Sequence, residues 1–303
     1  MSDRPTHQAR RPRAPGRSGP ARPRLVTTRN AQFQTWQALL TNRQKRQRLG
    51  RFLIQGVRPI TVAADQGWPL DQLLHPAGRR LSAWARELLD RRPGGAEPIA
   101  VAPELLAELG ERDSESASAP ELIAVGAVPP DDLGRIPADR PDFLGVVFDR
   151  PTQPGNIGTL IRSADALGAH GLVVTGHSAD VYDPKSVRAS TGSLLRLPAV
   201  RTGAPAEVGD WVRARRAAGV PLRIVGTDED GDTRIDRCDL TGPVLLVVGN
   251  ETAGMSRAWR ELCDETVSIP IGGAASSLNA ANAATLALYE AARQRGFPGQ
   301  GAD

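Results

Sequence analysis

The sequence predicts an α/β protein, with a parallel sheet in its C-terminal half and a smaller α/β unit before it. After residue 143, continuous apolar segments alternate with amphipathic helical patterns, which is typical of a parallel sheet covered by helices on both faces. A segment rich in proline and charge, Pro129–Pro141, separates the two halves. Shorter apolar runs alternate with helical patterns before it, so two domains are expected.

The chain has 303 residues, which is enough for two domains of ordinary size. We divide it into a basic tail (1–24), a first domain (25–127), a linker (128–142), a second domain (143–296) and a short tail (297–303). No apolar run reaches the roughly 18 residues of a membrane span. The N-terminus lacks the apolar core of a secretory signal, so we expect a cytoplasmic protein without membrane contact.

The first domain has one clear helical signal, because Phe33, Trp36, Leu39 and Leu40 are spaced as on one helix face. Its other predicted elements are a helix at Leu81–Leu89, an element beginning at Val57–Ala64, and strands at Phe52–Ile54, Ile99–Val101 and Leu122–Val125.

The second domain repeats a strand and helix pattern. Its predicted strands are Phe143–Asp149, Gly171–Thr175, Leu222–Gly226, Val244–Gly249 and Val267–Ile271. Its predicted helices are Ile157–Leu167, Asp210–Ala218 and Ser277–Arg295. Ligands of such sheets bind beyond the carboxyl ends of the strands, and the unusual residues of this half stand there.

Positive charge is concentrated at the N-terminus. Residues 1–60 carry thirteen arginines, one lysine and a single acid, Asp3, although the net charge of the whole chain is only +4. This asymmetry favours binding to a phosphate backbone, while residues 1–24 are equally well explained as a solvated tail. The candidate RNA contacts are Arg29, Arg43, Lys45, Arg46, Arg48, Arg51 and Arg58. The two cysteines have no metal-type spacing, so we expect no metal.

The first strand end with unusual chemistry is residues 149–162, where a turn rich in proline and glycine leads into a helix. The open end of such a helix offers free N–H groups to an anion. Arg162 follows Asn156 by six residues, and its guanidinium could bind a phosphate through two hydrogen bonds. The segment does not match the dinucleotide fingerprint GxGxxG, which argues against a dehydrogenase. A tight turn with Arg162 on the surface is the alternative.

Two further strand ends carry small and polar residues. Gly249 and Gly254 flank Asn250-Glu251, so the backbone can bend and approach a ligand there, although Asn-Glu is also ordinary turn chemistry. Residues 268–279 are mostly small and lead into a long alanine-rich helix, which Ser276 or Ser277 could cap.

These three segments, in this order and spacing, resemble the SpoU (TrmH) family of SPOUT RNA 2′-O-ribose methyltransferases over residues 143–295. The resemblance implies a parallel sheet whose C-terminal chain forms a deep trefoil knot, which general rules of topology would reject. It also implies S-adenosylmethionine as cofactor and a homodimer. The cofactor contacts that it implies are Gly226, Thr227, Gly249, Ile269 and Leu278. The catalytic set that it implies is Asn156, Arg162, Glu251, Ser277 and Asn279.

Residues 25–127 resemble the L30e-like substrate-binding domain of the ribosomal-RNA branch of this family. Gln55 stands where many relatives have glutamate, a departure outside the implied catalytic set. Strings at Asn30–Leu40, Val57–Ile60 and Val181–Arg188 resemble the branch that methylates a uridine ribose of 23S ribosomal RNA. That closer resemblance implies resistance to a ribosome-targeting antibiotic.

A ribose hydroxyl is a poor acid, so an enzyme that methylates it must position the oxygen and stabilise or remove its proton. No histidine lies within the three segments, so Arg162 is the leading candidate for stabilising charge, and action as a base would require an unusual loss of its proton. A transfer-RNA ribose methyltransferase and a silent RNA-binding or ribosome-assembly protein remain as alternatives. The intact catalytic set argues against the silent protein.

Overall fold

The computed structural model describes residues 24–110, 120–274 and 277–297. The predicted tails, residues 1–24 and 297–303, therefore lie almost entirely outside the described residues, as does Ser276. Within these ranges the chain forms two sheets, one in each half, as the alternating patterns predict.

The N-terminal sheet has five strands in the order β1-β4-β3-β5-β2. The strands are β1 (Arg24–Val26), β2 (Arg51–Gln55), β3 (Leu70–Pro76), β4 (Glu97–Val101) and β5 (Ile123–Ala127). The helices are α1 (Ala31–Thr41), α2 (Arg43–Leu49), α3 (Val57–Asp65), α4 (Ala83–Arg91) and α5 (Pro103–Leu109). Strands β1, β4 and β3 are parallel, and β5 is antiparallel to both of its neighbours.

Local sequence explains where α1 and α2 begin and end. The Asn30 side chain caps α1, whose face buries Phe33, Trp36 and Leu39, as their spacing predicts. Asn42 caps α2 in the same way, and Gly50 ends it in the left-handed region with φ 61°.

The C-terminal sheet has seven strands, all parallel, in the order β10-β12-β9-β11-β6-β7-β8. The strands are β6 (Leu144–Asp149), β7 (Gly171–Thr175), β8 (Ala199–Thr202), β9 (Arg223–Thr227), β10 (Thr233–Arg234), β11 (Val244–Val248) and β12 (Glu265–Ser268). The helices are α6 (Pro154–Ala166), α7 (Pro184–Ala189), α8 (Pro205–Ala217), α9 (Arg257–Leu262) and α10 (Ala280–Gln294). Helices α6, α7 and α10 pack together, while α8 and α9 contribute to a separate core.

Strand β12 is inserted between β9 and β10, although β9 and β10 come first in the chain. The turn that joins those two strands crosses directly over β12, because a Cβ added to Gly231 would lie 2.4 Å from the backbone carbon of Val267. The predicted fold class, a parallel C-terminal sheet with a smaller α/β domain before it, is confirmed. This crossing also favours the knot that the resemblance implies.

Several element boundaries differ from the prediction by a few residues, and two of them lie beside the strand ends that carry unusual residues. Strand β12 ends at Ser268, before Pro270, whose ring nitrogen has no hydrogen to donate to a ladder. Helix α10 begins at Ala280 rather than Ser277, because the Asn279 side chain accepts hydrogen bonds from the amides of Ala281 and Asn282. Asn279 is therefore the cap, a place that the sequence analysis gave to a serine.

The segment between the sheets packs against the second domain. Ile136 and Ala138 are buried, and Asp131 forms an ion pair with Arg201 at 2.7 Å. One hydrophobic core also includes residues of both halves, among them Phe52 and Tyr182. The division into two domains and a linker remains a prediction, but the two halves are in close contact.

Candidate active site

A cavity of 290 Å³ opens at the carboxyl ends of β9, β11 and β12, where a parallel sheet binds its ligands. It brings together six of the predicted residues: Thr227, Gly249, Glu251, Ile269, Ser277 and Leu278. Its apolar wall includes Val248, Val267 and Ile271, and its polar wall includes Asp228, Glu229 and Arg260. The cavity therefore suits a ligand with an apolar ring and polar or charged groups.

Gly249 is required by a close backbone approach at the edge of this cavity. A Cβ added there would lie 2.2 Å from the Gly254 carbonyl carbon and from the Met255 nitrogen. The chain doubles back at this point, with Asn250 and Gly254 joined by two backbone hydrogen bonds of 3.0 and 3.1 Å. Residues 250–254 line the cavity, and the loop is closed within itself, because the amides of Thr252 and Ala253 donate to the Asn250 side chain at 2.9 and 3.0 Å.

Gly226, in contrast, does not line this cavity, and its assignment as a cofactor contact stays a prediction. A Cβ added to Gly226 would lie 2.7 Å from the Cys263 sulfur and the Met255 side chain. The residue is small because β9 packs closely against the segment that follows β11, and it supports the wall of the cavity from behind.

The three predicted segments meet at Asn156. Its amide nitrogen donates to the Glu251 carboxylate at 2.9 Å, and its amide oxygen accepts from the Asn279 side chain at 3.3 Å. Glu251 also accepts from the backbone and hydroxyl groups of Thr152, both at 3.2 Å. The start of α6, the loop after β11 and the start of α10 are thus joined by polar side chains beside the cavity.

Arg162 lies apart from this group. It follows Asn156 by six residues on α6, which turns it about 120° around the helix axis, and its side chain is exposed. It does not line the cavity, where Arg260 is the only cation among the described residues. Arg162 is therefore available to a ligand that arrives from solvent.

A buried carboxylate that the sequence patterns did not single out holds the cavity loop in place. Asp149, at the end of β6, accepts hydrogen bonds from the Arg150 guanidinium, the Thr175 hydroxyl and the Ser256 amide, at 3.1, 3.1 and 2.8 Å. Arg150 has a positive φ of 51°, and its carbonyl accepts from the Asn250 side chain at 2.7 Å. An aspartate at the end of an otherwise apolar strand was the available signal.

The predicted RNA contacts divide into two groups. Arg46 is buried in ion pairs with Asp180 and Asp183, so it cannot reach RNA, and this part of the prediction is wrong. Arg43 is also engaged, because it donates to the Ser178 carbonyl.

The other predicted contacts are more accessible. Arg29 and Arg51 pair with the acids Glu108 and Asp71, respectively. Arg48 and Arg58 are exposed, and Lys45 is partly exposed. The part of the basic segment that remains open to RNA is thus smaller than its charge implies.

Glu251 provides a test of the link between the three segments. Partial burial opposes ionisation, but hydrogen bonds from Asn156 and Thr152 outweigh it and lower the pKa of Glu251. We expect Glu251→Gln to lower stability by about 1 kcal/mol at pH 7, because one carboxylate oxygen that accepts hydrogen bonds becomes a donor.

A lowered pKa stabilises the folded state above the ordinary carboxylate pKa, and this contribution is lost as the pH falls through the lower folded value. The difference in thermal midpoint between wild type and Glu251→Gln should therefore shrink as the pH is lowered below that of an ordinary glutamate. A difference that stays constant from about pH 7 to about pH 3.5 would contradict an ionised link.

Comparison with known proteins agrees with this geometry. The profile described as SpoU L30e-like domain matches residues 30–124, and the profile of the SpoU rRNA Methylase family matches residues 144–289. A 23S rRNA (uridine(2479)-2′-O)-methyltransferase of Streptomyces viridochromogenes is 65% identical over 272 residues, covering 90% of this chain and 93% of that protein.

Solved structures give the same picture. The crystal structure of the SpoU methyltransferase AviRb from Streptomyces viridochromogenes, in complex with the cofactor AdoMet, is 65% identical with a TM-score of 0.83. The match covers 88% of this chain and 98% of the AviRb chain. An AdoMet-bound rRNA methyltransferase from Sinorhizobium meliloti is 29% identical with a TM-score of 0.75. That match covers 89% of this chain and 97% of the Sinorhizobium meliloti chain.

Proposed function

Because this chain belongs to the SpoU rRNA methylase family, we propose that it methylates the ribose 2′-hydroxyl of a uridine in 23S ribosomal RNA, with S-adenosylmethionine as methyl donor. The single observation that carries the proposal is the polar group Asn156–Glu251–Asn279 beside the cavity at the strand ends. Ribosomal RNA as substrate implies action in the cytoplasm.

The residues of the cavity fit S-adenosylmethionine. Ile269, Leu278 and Val248 offer an apolar surface to an adenine ring. Glu229 places negative charge in a cavity that would hold a sulfonium cation, while the charge of Asp228 is paired with that of Arg260 at 3.0 Å. The close return of the chain at Gly249 brings residues 250–254 into the wall of the cavity. When bound, this cofactor supplies an electrophilic methyl group that needs no further activation.

The remaining work belongs to side chains that orient the ribose and stabilise the charge of its oxygen. Asn156 and Asn279 hold one another and Glu251 in a fixed arrangement, so little reorganisation is needed when RNA binds. Arg162 would bind the phosphate of the target nucleotide through its planar guanidinium and stabilise the developing oxyanion. Ser277, which is exposed at the edge of the cavity, would hold the nucleotide.

The experiment that tests this function is incubation of the full chain with labelled S-adenosylmethionine and one of three RNAs: naked 23S RNA, assembled large subunits or transfer RNA. The modified nucleotide is then mapped. Label at a uridine ribose of 23S RNA supports the proposal. Label in transfer RNA alone would identify transfer RNA as the substrate instead. Label in none of the three RNAs would favour a silent RNA-binding protein. Resistance to a ribosome-targeting antibiotic would follow if cells that carry the modification survive the drug.

The accessible basic residues of α2 should contribute to RNA affinity. We expect Lys45→Ala with Arg48→Ala to weaken RNA binding and to reduce its salt dependence, by a slope of up to about 0.9 for each phosphate that the variant no longer neutralises. S-adenosylmethionine affinity should not change, because neither residue lines the cavity. Titration of RNA at several salt concentrations measures the slope, and an unchanged slope would make this cluster a solvated surface.

The homodimer also belongs to this proposal. On α10, Leu286 and Tyr289 are 46% and 49% exposed, and the Tyr289 ring contacts that of Phe297. Exposed apolar side chains on one face of a long helix favour a second copy as the partner. Sedimentation equilibrium of the full chain tests this proposal, and a monomer at micromolar concentration would contradict it.

A further inference from the structure

Arg46 lies at the contact between the two halves of the chain, with only 3% of its side chain exposed. Its Nε donates to Asp180 at 2.7 Å and its Nη2 donates to Asp183 at 3.2 Å, both in the C-terminal domain. Its Nη1 donates to the carbonyls of Leu39 and Leu40, at 2.8 and 3.1 Å, near the end of α1. The three guanidinium nitrogens of Arg46 thus join the end of α1 to the C-terminal domain.

Such a buried ion pair is better suited to fixing an orientation than to adding stability. Removing two charges from water costs several kcal/mol, and well-packed apolar residues often stabilise a protein equally well. Asp180, with 5% of its side chain exposed, also accepts from the Tyr182 amide at 3.1 Å, so its carboxylate is held from both sides. The pair therefore accepts one arrangement of the two domains and penalises others.

The contacts around Arg46 extend this docking. Arg43 donates to the Ser178 carbonyl at 2.5 Å, and the Phe52 ring packs against the Tyr182 ring with centroids 4.9 Å apart. Polar and apolar groups thus alternate across one interface between α2, β2 and residues 178–183.

The interface continues toward the active site through α3. Gly192 begins the turn that contains Ser193. A Cβ added to Gly192 would lie 3.5 Å from the Pro59 Cα and 3.3 Å from the Val62 side chain, so α3 packs directly against this turn. Arg58, next to Pro59, is exposed.

The same turn contacts the helix that carries Arg162. The Ser193 hydroxyl donates to Asp165 at 2.7 Å, and Asp165 follows Arg162 by three residues, on nearly the same side of α6. The position of Arg58 relative to Arg162 is therefore set by packed contacts rather than by a free linker.

We propose that the Arg46–Asp180 ion pair is a positioning element that holds the RNA-binding domain in one orientation, so that the target ribose is selected at a fixed distance from Arg58. This inference rests on the proposed function. Neither residue touches the cofactor cavity, so the pair acts through the placement of the RNA and not through the chemistry.

The test is Asp180→Asn, which keeps the size of the side chain and its acceptor for the Tyr182 amide but removes the charge. We compare a long 23S RNA fragment that contains the mapped uridine with a short hairpin around the same uridine, too small to reach both domains. For the long fragment, kcat/KM should fall at least tenfold, mainly through KM. For the hairpin it should change less than twofold, and S-adenosylmethionine affinity should be unchanged.

The matched control is Asp65→Asn, which removes the same charge from an exposed ion pair with Arg91 inside the N-terminal domain. This variant should leave kcat/KM unchanged for both RNAs.

Hydrogen exchange measured without RNA should rise in α3 and residues 178–183 for Asp180→Asn, and this readout does not depend on the identity of the substrate. Unchanged exchange, unchanged activity on both RNAs, or an equal loss on both would each overturn the inference. Absence of wild-type activity on 23S RNA would instead reject the proposed function. Arg46→Met, which also removes the hydrogen bonds to α1, serves as a second variant if Asp180→Asn does not fold.

Discussion

Arg162→Ala should lower the single-turnover methylation rate at saturating RNA by about 100-fold or more, the range found when one preorganised donor to a developing oxyanion is removed. Fold and cofactor affinity should remain, because Arg162 is exposed and lies outside the cavity. Arg213→Ala is the matched control, since Arg213 is an exposed arginine on α8 that pairs with the nearby Asp210.

Arg162→Lys separates two ways in which the side chain could act. Lysine keeps the positive charge but loses the planar pair of donors, so a bidentate phosphate contact would be badly damaged while a simple charge effect would be restored. A loss confined to RNA affinity would make Arg162 a binding residue only. Near-normal turnover by Arg162→Ala would contradict the catalytic assignment and would return the silent RNA-binding protein as the better interpretation.

The fold class and the family could be predicted because both depend on local patterns. Continuous apolar strands alternate with amphipathic helices, and parallel strands end at one edge, so Asn156, Glu251 and Asn279 were expected to meet although they are far apart in the chain. Their direct hydrogen bonds agree with that expectation. The knot cannot be reached by such reasoning, since the insertion of β12 between β9 and β10 follows from tertiary contacts alone.

The failures concern residues whose role depends on a distant partner. Arg46 belongs to a cationic run that predicts an RNA surface, yet its partner Asp180 lies 134 residues away and buries it. Gly226 stands at a strand end like Gly249, and only the packing of Cys263 and Met255 shows why a larger side chain would not fit there. Composition and spacing hold no information about either contact.

Gly249→Ala should weaken S-adenosylmethionine binding by at least about tenfold, or roughly 1.4 kcal/mol. The added methyl group would lie 2.2 Å from the backbone at Gly254 and Met255, and backbone cannot yield as a flexible side chain can. The loop 250–254 must therefore shift, and it carries Glu251 and part of the cavity wall. The thermal midpoint should also fall, because overpacking typically costs about 1–3 kcal/mol.

Gly242→Ala provides the matched control for this change. Gly242 lies just before β11, the strand that Gly249 follows. A Cβ added to Gly242 would meet nothing within 4 Å, so cofactor affinity and stability should both stay at wild-type values. Calorimetry on folded samples measures the affinity, and circular dichroism confirms that the sheet is intact.

The local nature of the effect can be tested further at Gly254, whose added Cβ has room but whose φ of 61° disfavours other residues. Gly254→Asn should therefore bind the cofactor better than Gly249→Ala does. A folded Gly249→Ala protein with unchanged affinity would show that the cofactor does not contact this loop, and the cavity would lose its assignment.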